Sequence, residues 1–377
     1  MDPTPADEAK DPALPAEVIP IGAQPPTEIA LEGAKCPRCG AAFEGPVCPN
    51  CGLPTGVLVL DQMQKYFDVR QRLFRPALHV KAVDGVTLAI QKGETIAIVG
   101  ESGCGKTTLG RTAIRLLEPT GGGLYYDGRD ITHLKMKELL WLRRKSQIVP
   151  QDPYASVNPA FTIFKILEEP LLVHHIGAPK ERAERVQTAL ESVQLTPPEL
   201  FAQKFPHMLS GGQRQRVAVA RSMMLEPELI IADEPVSMLD ASVRISILEL
   251  LKKIQLEYGV SFIYITHDLA TARHFSNRVG IMYAGKMVEH GPVGSVLVEP
   301  LHPYTLALMD AIPDPDPNNR YRKITSLPGE PPSLVNPPSG CHFHPRCPIA
   351  KLGLCDVEEP LLRELRPGHL VACHLAE

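Results

Sequence analysis

The stretch that decides the fold is TIAIVGESGCGKTT, residues 95–108. Its first five residues predict a buried parallel strand, and the rest satisfies the G-x-x-x-x-G-K-[ST] pattern of a phosphate-binding loop. The glycines let successive backbone N–H groups point at one anion, and a helix that begins near Lys106 directs its positive end there. We expect Lys106 to reach the β and γ phosphates of ATP or GTP and the Thr107 hydroxyl to bind Mg²⁺. The predicted nucleotide-binding residues are Gly100, Ser102, Gly103, Cys104, Gly105, Lys106, Thr107 and Thr108.

A second apolar run, residues 229–232, leads directly into Asp233 and Glu234. This pattern predicts a core strand that delivers two carboxylates to its C-terminal end, the edge at which open parallel sheets bind ligands. We expect Asp233 to hold Mg²⁺ through its water shell and Glu234 to act as general base on the attacking water.

A serine and two glycines open a helix at residues 209–213, Leu-Ser-Gly-Gly-Gln. Together with the phosphate loop and the two carboxylates, this segment resembles the signature of ABC-type ATPases. The resemblance implies that the turn completes the ATP site of a partner ATPase subunit, and exposed N–H groups at a helix start suit that role. The residues concerned are Ser210, Gly211, Gly212 and Gln213.

Three further positions fall where the ABC pattern implies them. Gln151 resembles the Q-loop glutamine, which senses Mg²⁺ and water beside the groove for the membrane subunit. His267 resembles the switch histidine that contacts the γ-phosphate. Asp240 resembles the D-loop aspartate, although Met238 stands where the family pattern implies alanine.

Two adjacent aromatic residues are candidates for the adenine platform. Resemblance to the ABC A-loop favours Phe67, with Tyr66 as the alternative, because stacking needs only one exposed ring face. A third reading, in which both rings pack in the core of a β-subdomain, stays open.

Composition sets the class of protein. The 377 residues are 44% hydrophobic and 22% charged, which is ordinary for a globular chain. No apolar stretch reaches the about 18 residues of a membrane helix, so transport would need separate membrane proteins. The net charge of −4 without a long basic run predicts no binding of nucleic acid.

The chain divides by composition into four parts. Residues 1–34 are rich in proline and acidic groups and are expected to be disordered, while 57–300 alternate strand and helix patterns typical of an α/β domain. The resemblance implies a P-loop ABC-type ATPase with a RecA-like core, an antiparallel β-subdomain and a helical subdomain at about 137–208. An insertion is predicted at 68–80, before a strand at 82–90, and a proline-rich tether at 313–338. Predicted helices are 106–117, 180–193, 212–225 and 242–258.

Small cysteine-rich metal modules are predicted at both ends. In residues 35–56, two C-P-x-C-G turns place four thiolates as a tetrahedral set that resembles a zinc ribbon. Iron in a rubredoxin-like site and disulfides are the alternatives. The predicted ligands are Cys36, Cys39, Cys48 and Cys51.

The second module lies in residues 301–377. Together with Leu-His-Pro-Tyr-Thr at 301–305, it resembles the C-terminal extension of ATP-binding subunits from oligopeptide/dipeptide importers, with Arg346 also matching. The resemblance implies a [4Fe–4S] cluster, whereas the spacing alone suits zinc equally, and oxidised or free thiols are a third reading. The predicted ligands are Cys341, Cys347, Cys355 and Cys373, and His342, His344 and His374 could substitute.

The resemblance implies an ATPase subunit that powers oligopeptide or dipeptide uptake from the cytoplasmic face of the membrane. Its implied partners are two permease subunits, a sister ABC ATPase in a heterodimer, and an extracytoplasmic solute-binding protein. A homodimer fits the residues equally. Oligosaccharide uptake is an alternative cargo, and a soluble ABC ATPase acting on DNA is an alternative of another class.

Overall fold

The computed structural model describes residues 36, 38–41, 47–69, 78–153, 157–311 and 329–377. The predicted disordered tail lies outside these ranges, and so does most of the predicted proline-rich tether. Its described part, residues 329–338, contains no helix or strand.

Twelve strands are described, and they form two sheets. An eight-stranded sheet has the order β11-β12-β10-β9-β3-β8-β7-β6, in which the five strands from β9 to β6 are parallel, and a four-stranded antiparallel sheet has the order β2-β1-β4-β5. The strands are β1 Leu58–Val69, β2 Leu78–Ile90, β3 Thr95–Val99, β4 Gly121–Tyr126, β5 Arg129–Asp130, β6 Ser146–Val149, β7 Leu229–Asp233, β8 Ser261–Thr266, β9 Arg278–Tyr283, β10 Lys286–Pro292, β11 Arg363–Arg366 and β12 His369–Val371.

Ten α-helices are described. Those that lie between β6 and β7 in the chain form a helical unit, and the others surround the parallel sheet. They are α1 Lys106–Ala113, α2 Leu140–Lys145, α3 Ile163–Val173, α4 Pro179–Ser192, α5 Pro198–Ala202, α6 Gly211–Met223, α7 Ala241–Tyr258, α8 Leu269–Phe275, α9 Val293–Val298 and α10 Pro303–Asp310. The predicted α/β class with a parallel core, an antiparallel sheet and a helical segment is confirmed. The segment at about 137–208 also contains β6, which joins the main sheet before Gln151.

Two predicted boundaries were wrong for local reasons. The insertion placed at 68–80 is shorter, because Val69 and Leu78 still pair and extend both strands. Helix α1 ends at Ala113 and not at residue 117, because Arg115 takes a left-handed backbone with φ 57°.

The parallel sheet is buried on both faces, so its strands are almost continuously apolar. Helix α1 packs directly on it: a Cβ added at Gly110 would lie 2.7 Å from the Cδ1 atom of Ile265. This close approach fixes the helix that follows the phosphate loop against strands β7 and β8.

Candidate functional site

The phosphate loop connects the buried end of β3 to the start of α1. Gly103 and Gly105 have φ of 78° and 107°, which side-chain-bearing residues rarely adopt. A Cβ at Gly105 would lie 1.9 Å from the carbonyl oxygen of Ala82, so the turn also requires glycine for space. Lys106 is buried, and its Nζ donates to the carbonyl oxygens of Gly100 and Glu101 at 2.8 and 2.9 Å.

The hydroxyl and the carboxylate predicted for magnesium lie side by side. Thr107 Oγ1 donates to Asp233 Oδ1 at 2.8 Å, although 126 residues separate them. Burial raises the pKa of Asp233, and the hydrogen bond from Thr107 and the charge of Arg111 counteract the increase. A hydroxyl beside a carboxylate at a phosphate loop is the oxygen donor set that Mg²⁺ prefers, so these residues fit the ion.

Glu234 sits at the C-terminal end of β7 between two of the predicted catalytic residues. Its Oε2 accepts from Gln151 Nε2 at 3.4 Å and lies 3.2 Å from His267 Nδ1. The backbone of Glu234 is left-handed, with φ 46°, and its N–H donates to the Ile265 carbonyl oxygen. The structure therefore brings Gln151, Glu234 and His267 together at the sheet edge that also carries Asp233.

The predicted signature turn begins α6 with a reciprocal cap. Ser210 Oγ accepts from the Gln213 N–H at 3.3 Å, and Gln213 Oε1 accepts from the Ser210 N–H at 3.1 Å. Gly212 packs closely on α7, because an added Cβ would lie 2.6 Å from Val243 Cγ1. Within the described part of the chain, no hydrogen bond joins this turn to the phosphate loop of the same molecule.

The loop before α7 is tied to Glu234. Ser237 donates both its N–H and its hydroxyl to the Glu234 carbonyl oxygen, at 3.2 and 3.0 Å. Asp240 is the N-cap residue of α7 and is exposed, and Met238 is 60% exposed. The loop that carries Met238 and Asp240 therefore presents an outward surface, while its base is hydrogen-bonded to the backbone of Glu234, the predicted general base.

The two candidate adenine platforms differ in their surroundings. The Tyr66 hydroxyl donates to Asp84. Burial raises the pKa of the phenol, and the Asp84 carboxylate adds to this increase. Phe67 is partly exposed, with Lys65 Nζ 4.9 Å from its ring centroid. Of these two described rings, only that of Phe67 therefore has no hydrogen bond to a neighbouring strand.

The C-terminal segment is hydrogen-bonded to the phosphate loop, a contact that the sequence did not predict. Arg346 donates to both carboxylate oxygens of Glu101, at 2.9 and 3.2 Å, although 245 residues separate the two. The Glu101 N–H donates to the Tyr304 hydroxyl at 2.9 Å. In the sequence Arg346 only matches the family pattern, and no local signal pairs it with Glu101.

The N-terminal cysteines form a compact set. Their four sulfurs all lie within 4.8 Å of one another, with Cys36 3.5 Å from Cys51 and Cys39 3.6 Å from Cys48. A hydrogen bond with Asn50 lowers the pKa of Cys39 to about 6, whereas, against an opposing hydrogen bond with the Leu53 backbone, burial and the hydrogen bonds with the other three thiols raise the pKa of Cys51. The four cysteines therefore fit a single metal ion.

This cysteine module packs on the antiparallel sheet. The cysteines at 36 and 48 share a small apolar core with Leu53, Val59 and Tyr125. Arg38 also donates to Asp61 of β1 at 2.9 Å. The module therefore packs against one face of the antiparallel sheet.

The C-terminal cysteines all line one small cavity. Burial raises the pKa of Cys341 to about 11, and the proximity of the other three thiols adds to this effect. His302, Phe343, His344 and His374 line the same cavity. Burial lowers the pKa of His302 to about 3, and its Nε2 has no hydrogen-bond partner among the described residues. The sequence had assigned no role to this histidine.

Comparison with known proteins agrees with this geometry, which is that of an ABC-class ATPase. The family described as ABC transporter matches residues 83–237, and the family described as oligopeptide/dipeptide transporter, C-terminal region, matches residues 288–355. The chain is 47% identical to the oligopeptide transport ATP-binding protein AppF of Bacillus subtilis, covering 85% of this chain and 97% of that protein. It is 45% identical to the dipeptide transport ATP-binding protein DppF of Haemophilus influenzae, covering 82% and 94%.

A solved structure agrees as well. The ATP-binding cassette MJ0796, described as a dimeric post-hydrolysis state bound to ADP and Pi, matches with a TM-score of 0.55 and 32% identity, covering 63% of this chain and 98% of that one. The chain therefore belongs to the ATP-binding proteins of the oligopeptide/dipeptide group of ABC transporters. It is an ABC ATPase, as the sequence predicted. In the described part of the chain, no helix is both long and apolar enough to cross a membrane.

Proposed function

We propose that this chain hydrolyses ATP to drive peptide uptake through separate permease subunits. The observation that carries the proposal is the Glu234 carboxylate, which is held between Gln151 and His267 beside the Thr107–Asp233 pair. Glu234 would take a proton from the attacking water, and His267 would contact the γ-phosphate. Lys106 and the loop amides would bind the phosphates, while Mg²⁺ held by Thr107 and Asp233, with Gln151 nearby, would neutralise charge on them.

Two ATPase chains would share each nucleotide. Among the described residues, the capped turn at Ser210–Gln213 makes no hydrogen bond to the phosphate loop of its own chain. It nevertheless offers free N–H groups at a helix start. The dimeric cassette that resembles this chain supports such an arrangement. The partner proposed from the family resemblance is a sister ATPase, and Asp240 on its exposed loop would lie between the two sites.

A groove beside β6 supports the permease interaction. It lies between the core sheet and the helical unit, with Ile148 and Pro150 on one side and Pro170, Val173 and Ala218 on the other. Val173 is 67% exposed although it is apolar, which suits a covered surface. We assign this groove to a helix of a permease, which would place the chain at the cytoplasmic face of the membrane.

Peptides are the cargo that the relatives favour, since their names specify oligopeptide and dipeptide transport. The same relatives weigh against oligosaccharides and against a DNA-directed ATPase. The transporter would also include an extracytoplasmic solute-binding protein. Capture of the tagged chain from detergent-solubilised membranes with ATP and Mg²⁺ tests these partners: two permeases and a peptide-loaded binding protein are expected, whereas recovery with DNA-associated proteins and no permease contradicts transport.

The Glu234→Gln variant tests the catalytic assignment. It keeps the side-chain shape and hydrogen bonds but cannot accept a proton, so steady-state ATP hydrolysis should fall at least a hundredfold. ATP binding, measured by calorimetry, should persist. A variant that hydrolyses ATP at the wild-type rate would refute the general-base role.

The two cysteine sets are proposed to hold different groups. A zinc ion with Zn–S bonds of about 2.3 Å spaces its sulfurs about 3.8 Å apart, close to the spacing of the N-terminal set. The four C-terminal cysteines line one cavity and supply the thiolates that an iron–sulfur cluster takes, and the family resemblance favours that group there. We therefore propose Zn²⁺ at the first set and a [4Fe–4S] cluster at the second. Metal and sulfide analysis of anaerobically purified protein tests both.

A further inference from the structure

His302 is the one described histidine of the C-terminal cavity that keeps an unpaired buried nitrogen. The residue is 1% exposed and lines the cavity with the four cysteines. By contrast, His344 Nδ1 contacts the Cys341 carbonyl oxygen and His374 Nε2 contacts the Glu358 carbonyl oxygen, each at 2.9 Å. A buried polar atom without a hydrogen-bond partner is rare in folded proteins, so we expect this nitrogen to have a partner in the cavity.

The hydrogen bonds around His302 determine where its proton lies. The Tyr304 N–H donates to His302 Nδ1 at 3.0 Å, so Nδ1 is unprotonated and the neutral ring carries its hydrogen on Nε2. The unpaired atom is therefore a donor. An acceptor inside the cavity is what this donor lacks.

The ring is also held in place. The His302 N–H donates to Glu289 Oε2 at 3.0 Å, which fixes the backbone, and the ring packs against Phe343 with centroids 5.6 Å apart. Phe343 lines the same cavity. A donor fixed from the backbone and from the ring does not turn away to solvent.

We propose that His302 donates its Nε2–H to a sulfur of the group held by the four C-terminal cysteines, and that this hydrogen bond raises the group's reduction potential. The proposal rests on the iron–sulfur assignment above. Reduction adds negative charge to the sulfurs, so a hydrogen bond to them stabilises the reduced form more than the oxidised form. His302 is a positioning residue that acts on the cluster and does not ligate it.

The His302→Asn variant tests the proposal in the full chain, reconstituted anaerobically with ferrous iron and sulfide. Asparagine still offers an oxygen to cap α10 but places no N–H at the Nε2 position. In a dithionite titration followed by visible absorption, the ratio of oxidised to reduced cluster at a fixed potential should rise about tenfold, a fall in midpoint of about 59 mV for a one-electron couple. His79→Asn is the control, and its midpoint should not move, because His79 does not line the cavity and lies 2.7 Å from Asp68.

A second readout separates a hydrogen bond from a general effect on folding. Electron–nuclear double resonance of the reduced wild-type cluster should show an exchangeable proton that His302→Asn lacks. If the wild type contains zinc or no sulfide, the iron–sulfur assignment itself fails. If the cluster forms but the midpoint and the proton are the same in both proteins, only the role of His302 is refuted. If the variant assembles no cluster, the wild-type spectrum decides, and absence of the exchangeable proton overturns the proposal.

Discussion

Replacing Arg346 with glutamine should weaken ATP binding although this residue lies far along the chain from the phosphate loop. The variant removes both hydrogen bonds to Glu101, whose backbone carbonyl accepts from Lys106 and whose N–H is held by Tyr304. Without its partner, Glu101 leaves the loop less ordered before the nucleotide arrives. Binding must then supply the missing order.

The size of the effect follows from burial. The Arg346 side chain is 8% exposed and that of Glu101 is 25% exposed. Removing one partner of a buried charge pair costs about 2–5 kcal/mol of free energy. Because Glu101 is partly hydrated, we expect a cost of about 2 kcal/mol here. If the whole cost appears in binding, the Kd for ATP rises about thirtyfold, and any share already lost from the stability of the free protein reduces that factor.

Calorimetric titration of ATP in the Glu234→Gln background, where hydrolysis is suppressed, measures the effect. The matched control is Arg182→Gln, which breaks a 2.8 Å ion pair with Glu168 in the helical unit at 16% exposure on both sides. The control should lower thermal stability and leave the Kd unchanged. Equal affinities for ATP with and without the Arg346 substitution in the Glu234→Gln background would refute the coupling.

Two further predictions concern the β-subdomain. Phe67→Ala should raise the Kd for ATP through loss of about 1–3 kcal/mol of stacking, measured by the same titration, while Tyr66→Ala should change it less; the reverse order would transfer the adenine platform to Tyr66. Cys48→Ser should release zinc, measured by elemental analysis, and lower the Tm by about 2–4 °C for each kcal/mol of lost support from the shared core with Val59 and Tyr125. A variant that keeps stoichiometric zinc or the wild-type Tm would contradict that assignment.

Local patterns predicted the elements that carry the phosphate loop. The apolar run before Gly100 gave strand β3 with its bounds, because a strand buried on both faces must be apolar throughout. The same reasoning placed Asp233 and Glu234 at the end of β7. The roles given to these residues came from matching the ABC pattern and stay predictions.

Contacts between distant segments could not be predicted in this way. The pairing of Glu101 with Arg346 depends on how the C-terminal segment folds back, and neither residue stands out by period or spacing. His302 was visible as part of a motif, but its unpaired nitrogen emerges only when the Tyr304 amide is seen to occupy the other one. Such features are properties of three-dimensional packing.

The buried ammonium of Lys106 has a consequence for the first step of the cycle. Its Nζ donates to the two carbonyl oxygens of residues 100 and 101. Arriving phosphates would replace neutral acceptors with charged ones, and charge-assisted hydrogen bonds are the stronger kind. ATP binding then becomes an exchange of partners at a lysine that is already desolvated, and the loop does not have to strip water from a cation before it can close on its substrate.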